Sequence, residues 1–161
     1  MKFLEMKLDI APLLEQVKDI GVASEAAVRP AAQAGAEIYY GQVKANVAAL
    51  GRVTGNLDSS IYQAYSEDNS SETTATYHIS WNHRKAPHGH LVEYGHYQYY
   101  AVSYNPKTKR FVTHKDQPLN PPKYVAAKSF VRSAASRTQD VLIAMEQRFF
   151  QELAKQGVPT T

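Results

Sequence analysis

HRKAPHGHLVEYGHYQYYAVSY, residues 83–104, decides how the rest of the chain reads: it holds four of the six histidines and five of the eleven tyrosines. Within it Glu93 sits in an apolar run, Leu91-Val92-Glu93-Tyr94, closed by Gly95. Three kinds of structure use such a composition: a metal site, an acid–base site, or the wall of a protein interface. The flanks choose among them.

Working back from His83, Glu72–Trp81 alternates, with Thr73, Ala75, Tyr77, Ile79 and Trp81 on one face. Ile61–Ser66 alternates too, and Glu67–Ser71 between the runs is a polar turn. Gly51 and Gly55 punctuate the chain before them. Farther upstream two helices are expected. Asp9 would cap the first, which carries Ile10, Leu13, Leu14 and Val17 and stops at Gly21. The second opens near Ser24 and runs to about Leu50, with Pro30 early in it. Its stripe of Val28, Ala31, Ala32, Gly35, Ile38 and Tyr39 is small enough to lie close against a neighbour.

Forward of the histidines, Tyr97–Tyr104 and Arg110–His114 read as a hairpin whose tip, Asn105–Lys109, is flexible and basic. Asp116–Pro122 has three prolines in seven residues and reads as a stiff, extended connector. From Tyr124 to about Gln156 runs the longest helical pattern, with Phe130, Ala134, Val141, Leu142, Met145, Phe149 and Leu153 recurring at threes and fours. The expected architecture is α+β: an antiparallel sheet of about four strands, packed by N-terminal helices and a long C-terminal helix. The 161 residues make one domain, 1–161, with flexible ends about 1–8 and 157–161.

Composition removes several classes of function. No cysteine is present, so disulfides, thiolate metal sites and thiol nucleophiles are excluded. A formal charge of +3 falls short of a dedicated nucleic-acid-binding face. No apolar run is long enough to cross a bilayer. His88-x-His90 on an extended segment, with Glu93 or His96, would be the donor set for a metal, but Arg84 and Lys85 beside it disfavour a cation. Glu93 with His90 would be an acid–base pair, yet a carboxylate at a strand end more often caps amides or pairs with a basic group. Phosphate loops and nucleophile elbows are missing, and an enzyme with catalytic residues or a cofactor is not expected. The tyrosines at 94, 97, 99, 100 and 104 with Arg84, Lys85 and Lys107 would suit stacked bases, which keeps a small nucleic-acid-binding module as the alternative. Tyrosine-rich, lysine-poor strands suit a protein interface better.

Three segments resemble one family. Thr54-Gly55-Asn56-Leu57-Asp58-Ser59-Ser60-Ile61 is similar to the T-G-x-L-x-x-S-I box of the small neck or tail-completion proteins of tailed bacteriophages. His90-Leu91-Val92-Glu93-Tyr94-Gly95 resembles that family's second box, and Ser129-Phe130-Val131-Arg132-Ser133-Ala134 its third, which opens the last helix. The likeness spans roughly residues 10 to 150. The resemblance implies a structural virion protein at the head–tail junction, assembled in the host cytoplasm and without chemistry of its own. It implies a ring, six- or twelve-fold, that joins connector, head-closure, tail-terminator and tail-tube proteins. Contact with membrane is not implied, and contact with packaged DNA is at most non-specific. Physically, Gly55 frees a turn, Leu57 and Ile61 anchor it, and Glu93 before Gly95 places an acceptor where backbone amides or an arginine can meet it. Phe130 plugs the last helix onto the sheet. Tyr97, Tyr99, Tyr100, Tyr104, Lys107, Lys109, Arg110, Asn120 and Pro121 are the expected contact residues.

Overall fold

The computed structural model describes residues 11–51, 55–108 and 110–158, with backbone alone at Pro12 and Leu13. The expected cap at Asp9, the motif residue Thr54, the tip residue Lys109 and the ends 1–8 and 159–161 lie outside the described residues.

The molecule is organised along one helix, α1 (Ala11–Ala49), 39 residues long. The two helices expected here are therefore one. Gly21 does not stop it, because a glycine in a helix costs only about 1 kcal/mol relative to alanine. The stop is Gly51, at φ 84, the left-handed position that ends helices. Pro30 lies inside α1. It removes one helical hydrogen bond, but Ala27 and Ala31 on either side of it are buried, 0% and 5% exposed, so packing holds the helix together there.

Gly55, at φ 77, opens the short helix α2 (Asn56–Ser60). Strand β1 (Ile61–Tyr65) follows directly, then a 3₁₀ turn at Glu67–Asn69. Strand β2 (Tyr77–Trp81) returns antiparallel, pairing Ile61 with Trp81 and Tyr65 with Tyr77. Only the second half of the alternating run 72–81 is strand. Ser70 and Ser71 tie the first half into a turn, with the Thr76 amide donating to Ser70 Oγ at 2.9 Å and a bridge between Ser71 and Thr74. Helix α3 (Gly89–Tyr94) precedes the long strands β3 (His96–Asn105) and β4 (Arg110–Val125). A 3₁₀ turn, Arg132–Arg137, leads into α4 (Thr138–Lys155).

The fold is α+β, but its four strands form two separate antiparallel pairs, β1–β2 and β3–β4, in place of one sheet. Sheets merge when each has an apolar face to bury, and β3–β4 has none: no residue of either strand is buried. The prolines of 116–122 lie within β4, so the expected connector is part of a strand. Pairing accommodates them by a register break: Gln98 faces Lys123, Tyr100 faces Pro118 and Ala101 faces His114. A strand is the one regular element that tolerates proline at an irregularity on its edge. The expected helix from Tyr124 begins only at Thr138, because β4 and the Arg132–Arg137 turn occupy the intervening chain.

Helix α4 runs antiparallel to α1: Leu153 packs with Ala23 and Ala27, while Tyr39 Oη and Thr138 Oγ1 are 2.8 Å apart at the other end. Small residues set the spacing between them. A Cβ on Gly35 would stand 2.6 Å from Met145 Cγ. The main core lies where α1, β1, β2 and the segment before α4 converge, around Val43, Val47, Ile61, Phe130 and Ala134.

Candidate functional site: a locked junction and an exposed ribbon

Phe130 is fully buried, and its ring meets Trp81 edge-on at a centroid distance of 5.3 Å. The carboxylate of Glu93, 1% exposed, lies beside it. Three consecutive amides donate to that carboxylate: Phe130 N to Oε2 at 2.7 Å, Val131 N to Oε2 at 3.0 Å and Arg132 N to Oε1 at 3.1 Å. Arg132 Nε adds a fourth donor at 3.1 Å, while its Nη2 donates to the Glu93 carbonyl at 2.7 Å. The guanidinium also covers the Tyr94 ring at 4.7 Å. Burial raises the Glu93 pKa, but the amides of Val131, Arg132 and Phe130 and the Arg132 side chain outweigh it and hold the carboxyl below its ordinary value.

Glu93 lies on α3 rather than at the end of a strand, because Gly89–Tyr94 is helical and His88 and His90 with it are not on an extended segment. Both imidazoles are exposed, while the Glu93 carboxylate is turned inward to the amides. Among the described residues no three His, Asp or Glu side chains converge to hold a metal. A carboxylate held ionised by four donors is a fixed anion, unsuited to passing protons. Its work is to clamp α3 to the turn before α4, and Lys128 N donating to Val92 O at 2.8 Å reinforces the clamp.

Two glycines permit this arrangement. Gly95 has φ 76, and a Cβ there would come within 2.8 Å of Ala127 N and Val125 O. Gly89 lets α3 rest on the Trp81 indole, where a Cβ would fall 2.3 Å from Nε1. Of the other motif residues, Ser60 is buried and its Oγ donates to Leu57 O at 2.7 Å, while Ile61 and Ala134 are core and Leu57 and Val92 pack around it. Gly55 and Ser60 sit at the two ends of α2, which Lys44 fastens to α1 through Asp58 Oδ1 at 2.6 Å. Asn46 joins the same core, donating to Phe130 O at 2.9 Å and Ser133 Oγ at 2.9 Å. Sequence reading put Trp81 on a strand face and Arg132 in the third box without giving either a partner, and gave Asn46 no role. Arg132 is 39 positions from Glu93, and only the charge pairing of the second and third boxes hints at the contact.

The expected contact residues other than Lys109 are on the β3–β4 ribbon and its tip, and the ribbon packs chiefly on itself. Tyr97, Tyr99, Tyr100 and Tyr104 are 59%, 59%, 40% and 44% exposed, so neither face of the ribbon is core. Aromatic rings pair across its strands, Tyr97 with Tyr124 at 5.1 Å and Tyr104 with Phe111 at 5.3 Å. Asn105 Oδ1 accepts from the amides of Lys107 and Thr108 at 3.0 and 3.3 Å, which shapes the tip as an Asx-turn. Lys107, Arg110, Asn120 and Pro121 are exposed along it.

The site thus pairs a fixed internal anion in a helix-braced core with an aromatic ribbon exposed on both faces. Residues 11–95 match the family of HK97-gp10-like proteins, described as "Bacteriophage HK97-gp10, putative tail-component". The chain belongs to this family, and so to the structural tail components of bacteriophages. The match takes in α1, α2, β1, β2 and α3 with the first two boxes. It ends before the ribbon, the Phe130 segment and α4. No curated protein and no solved structure matches the chain.

Proposed function

We propose that this tail component is a neck or tail-completion protein, which joins the connector to the tail through ring-forming protein contacts and carries out no catalysis. In this reading it forms a six- or twelve-fold ring in the virion, is assembled in the host cytoplasm, and touches connector, head-closure and tail-terminator or tail-tube proteins. The exposed ribbon is the observation that carries the reading, with Tyr97, Tyr99, Tyr100, Tyr104, Lys107, Lys109, Arg110, Asn120 and Pro121 as its contact residues. Such rings of large, half-solvated side chains are what protein interfaces cover.

Residues 1–161 form one domain in this reading and should unfold in a single thermal transition. Deleting residues 105–109 should leave the circular dichroism spectrum intact while reducing infectious particles. Unchanged titre, or a position in the particle away from the head–tail junction in an electron micrograph, would overturn the assignment. The nucleic-acid alternative draws on the same exposed tyrosines and basic residues. It requires single-strand binding that weakens steeply with salt, and a filter-binding titration at two salt concentrations separates the two readings.

A further inference from the structure

The β3–β4 ribbon is a two-stranded sheet, so each strand has one edge without a partner among the described residues. The two edges differ. β4 holds Pro118, Pro121 and Pro122, and both register breaks put their surplus on it: 115–117 and 119–122 have no partner across the ladder, against Tyr99 alone on β3. β3 runs ten residues with no proline and no Lys, Arg, Asp or Glu. Proline, charge, irregularity and shortness are what close an edge to further strands. β4 has the first three, β1 and β2 are only five residues long, and β3 has none of the four. Chemistry fixes what an open edge takes: an extended backbone that meets its free amides and carbonyls.

The faces of the ribbon say which side chains such a strand must bring. Residues paired across a ladder share a face. Tyr100 with Pro118, Val102 with Thr113 and Tyr104 with Phe111 make an apolar face, while Ala101 with His114, Ser103 with Val112 and Asn105 with Arg110 make a more polar one. The Tyr104–Phe111 ring contact lies on the first, and Ser103 Oγ meets His114 Nε2 at 2.8 Å on the second. The apolar face has no cover, with Tyr100, Val102 and Tyr104 40–44% exposed. A strand added beside β3 should therefore alternate, apolar residues on the Tyr100–Val102–Tyr104 side and polar ones on the other.

The chain holds such a segment just ahead of α1. Leu4, Met6 and Leu8 alternate with Glu5, Lys7 and Asp9, the period of a half-covered strand. Six residues extend roughly 20 Å, the length of Tyr100–Asn105. The ribbon leaves the body beside Phe130, which packs with Val43. Ala11 is roughly 48 Å from Val43 along α1, whereas β3 is roughly 33 Å long. That span directs the segment to a second copy rather than back to its own ribbon.

We infer that Leu4–Asp9 of one copy adds a third strand to the open edge of β3 in the next copy. The inference rests on the ring-forming reading above and names its self-contact. Donor segment and acceptor edge are different parts of the chain, so the contact is heterologous, the kind that closes into rings. The apolar side chains of the donor then cover Tyr100, Val102 and Tyr104, and Glu5 and Asp9 share the face of His114 and Arg110.

The full chain has no cysteine, so single-cysteine variants give a direct test. Val102→Cys, at an exposed position, is mixed under mild oxidation with Leu4→Cys, Glu5→Cys, Met6→Cys, Lys7→Cys or Leu8→Cys. The expected yield of mixed dimer follows a period of two: the best of positions 4, 6 and 8 exceeds both 5 and 7 several-fold. Moving the acceptor thiol to the other face, as Ser103→Cys, should reverse that preference. Equal yields at all five positions, or no cross-link at all, would overturn the pairing. An internal disulfide in a monomer carrying both Met6→Cys and Val102→Cys would give the strand to its own copy and overturn the exchange. Rings seen in the microscope without the period of two would remove this contact and leave the ring standing. A protein absent from the head–tail junction would remove the ring reading itself.

Discussion

The Glu93–Phe130 junction and the β3–β4 ribbon adjoin each other at both ends, since β3 starts three residues after Glu93 and β4 ends five before Phe130. Their surroundings are opposite. Phe130 and Glu93 are 0% and 1% exposed and each oxygen of the Glu93 carboxylate has a donor, while the ribbon's large rings are 40–63% exposed. The difference separates two uses of aromatic and charged residues. In the junction they fix one conformation, and on the ribbon they stay available to a partner. Substitutions should therefore divide cleanly, those in the junction acting on stability and those on the ribbon acting on assembly.

The largest effect is expected from Phe130→Ala, which empties the centre of the core and should cost about 3–5 kcal/mol. A urea midpoint within error of the parent would show that the core is elsewhere. Glu93→Ala strands three inward amides, though Arg132 can turn to water, and should cost about 3 kcal/mol. The junction also makes a pH prediction. A carboxyl held below its ordinary value in the folded state stabilises the fold above the unfolded value, about 4.3, and loses that contribution as pH falls through the folded one. Stability measured from pH 7 downward should fall more steeply for the parent than for Glu93→Gln. Parallel curves would place the linkage at other carboxylates.

Gly35→Ala should cost about 1–3 kcal/mol by pushing α4 off α1. Less would mean that the Met145 side chain simply swings aside. At the small end, Tyr99→Ser and Tyr104→Ser should change stability by no more than about 0.5 kcal/mol while lowering the yield of infectious particles. A large loss of stability from either would break the division between junction and ribbon.

Local signals in the sequence carry the α+β class, the hairpin and the turn chemistry at Asn105 and Gly51. The acceptor role of Glu93 is also legible, since a carboxylate two residues before a glycine bend is placed to meet free backbone amides. What stays hidden depends on distant chain. Gly21 and Pro30 read as breaks because their local costs are real, yet packing of Ala27 and Ala31 under α4 outweighs them. Leu91–Tyr94 resembles a strand until Glu93 must reach Phe130, 37 positions away. The prolines of 116–122 exclude helix, but only pairing with β3 shows that they lie in a strand. Of the expected contact residues, the ribbon's exposure is visible only in three dimensions. Alternation suggests that one face is buried, and none is.

Pro118, Pro121 and Pro122 have a further consequence. A two-stranded ribbon in water has a free backbone margin on each side, and such margins recruit stray strands into fibrils. Proline offers no amide hydrogen to a newcomer, so β4 interrupts any continuous ladder along its length. The ribbon can thus be adhesive through its side chains while its β4 main chain refuses indiscriminate partners.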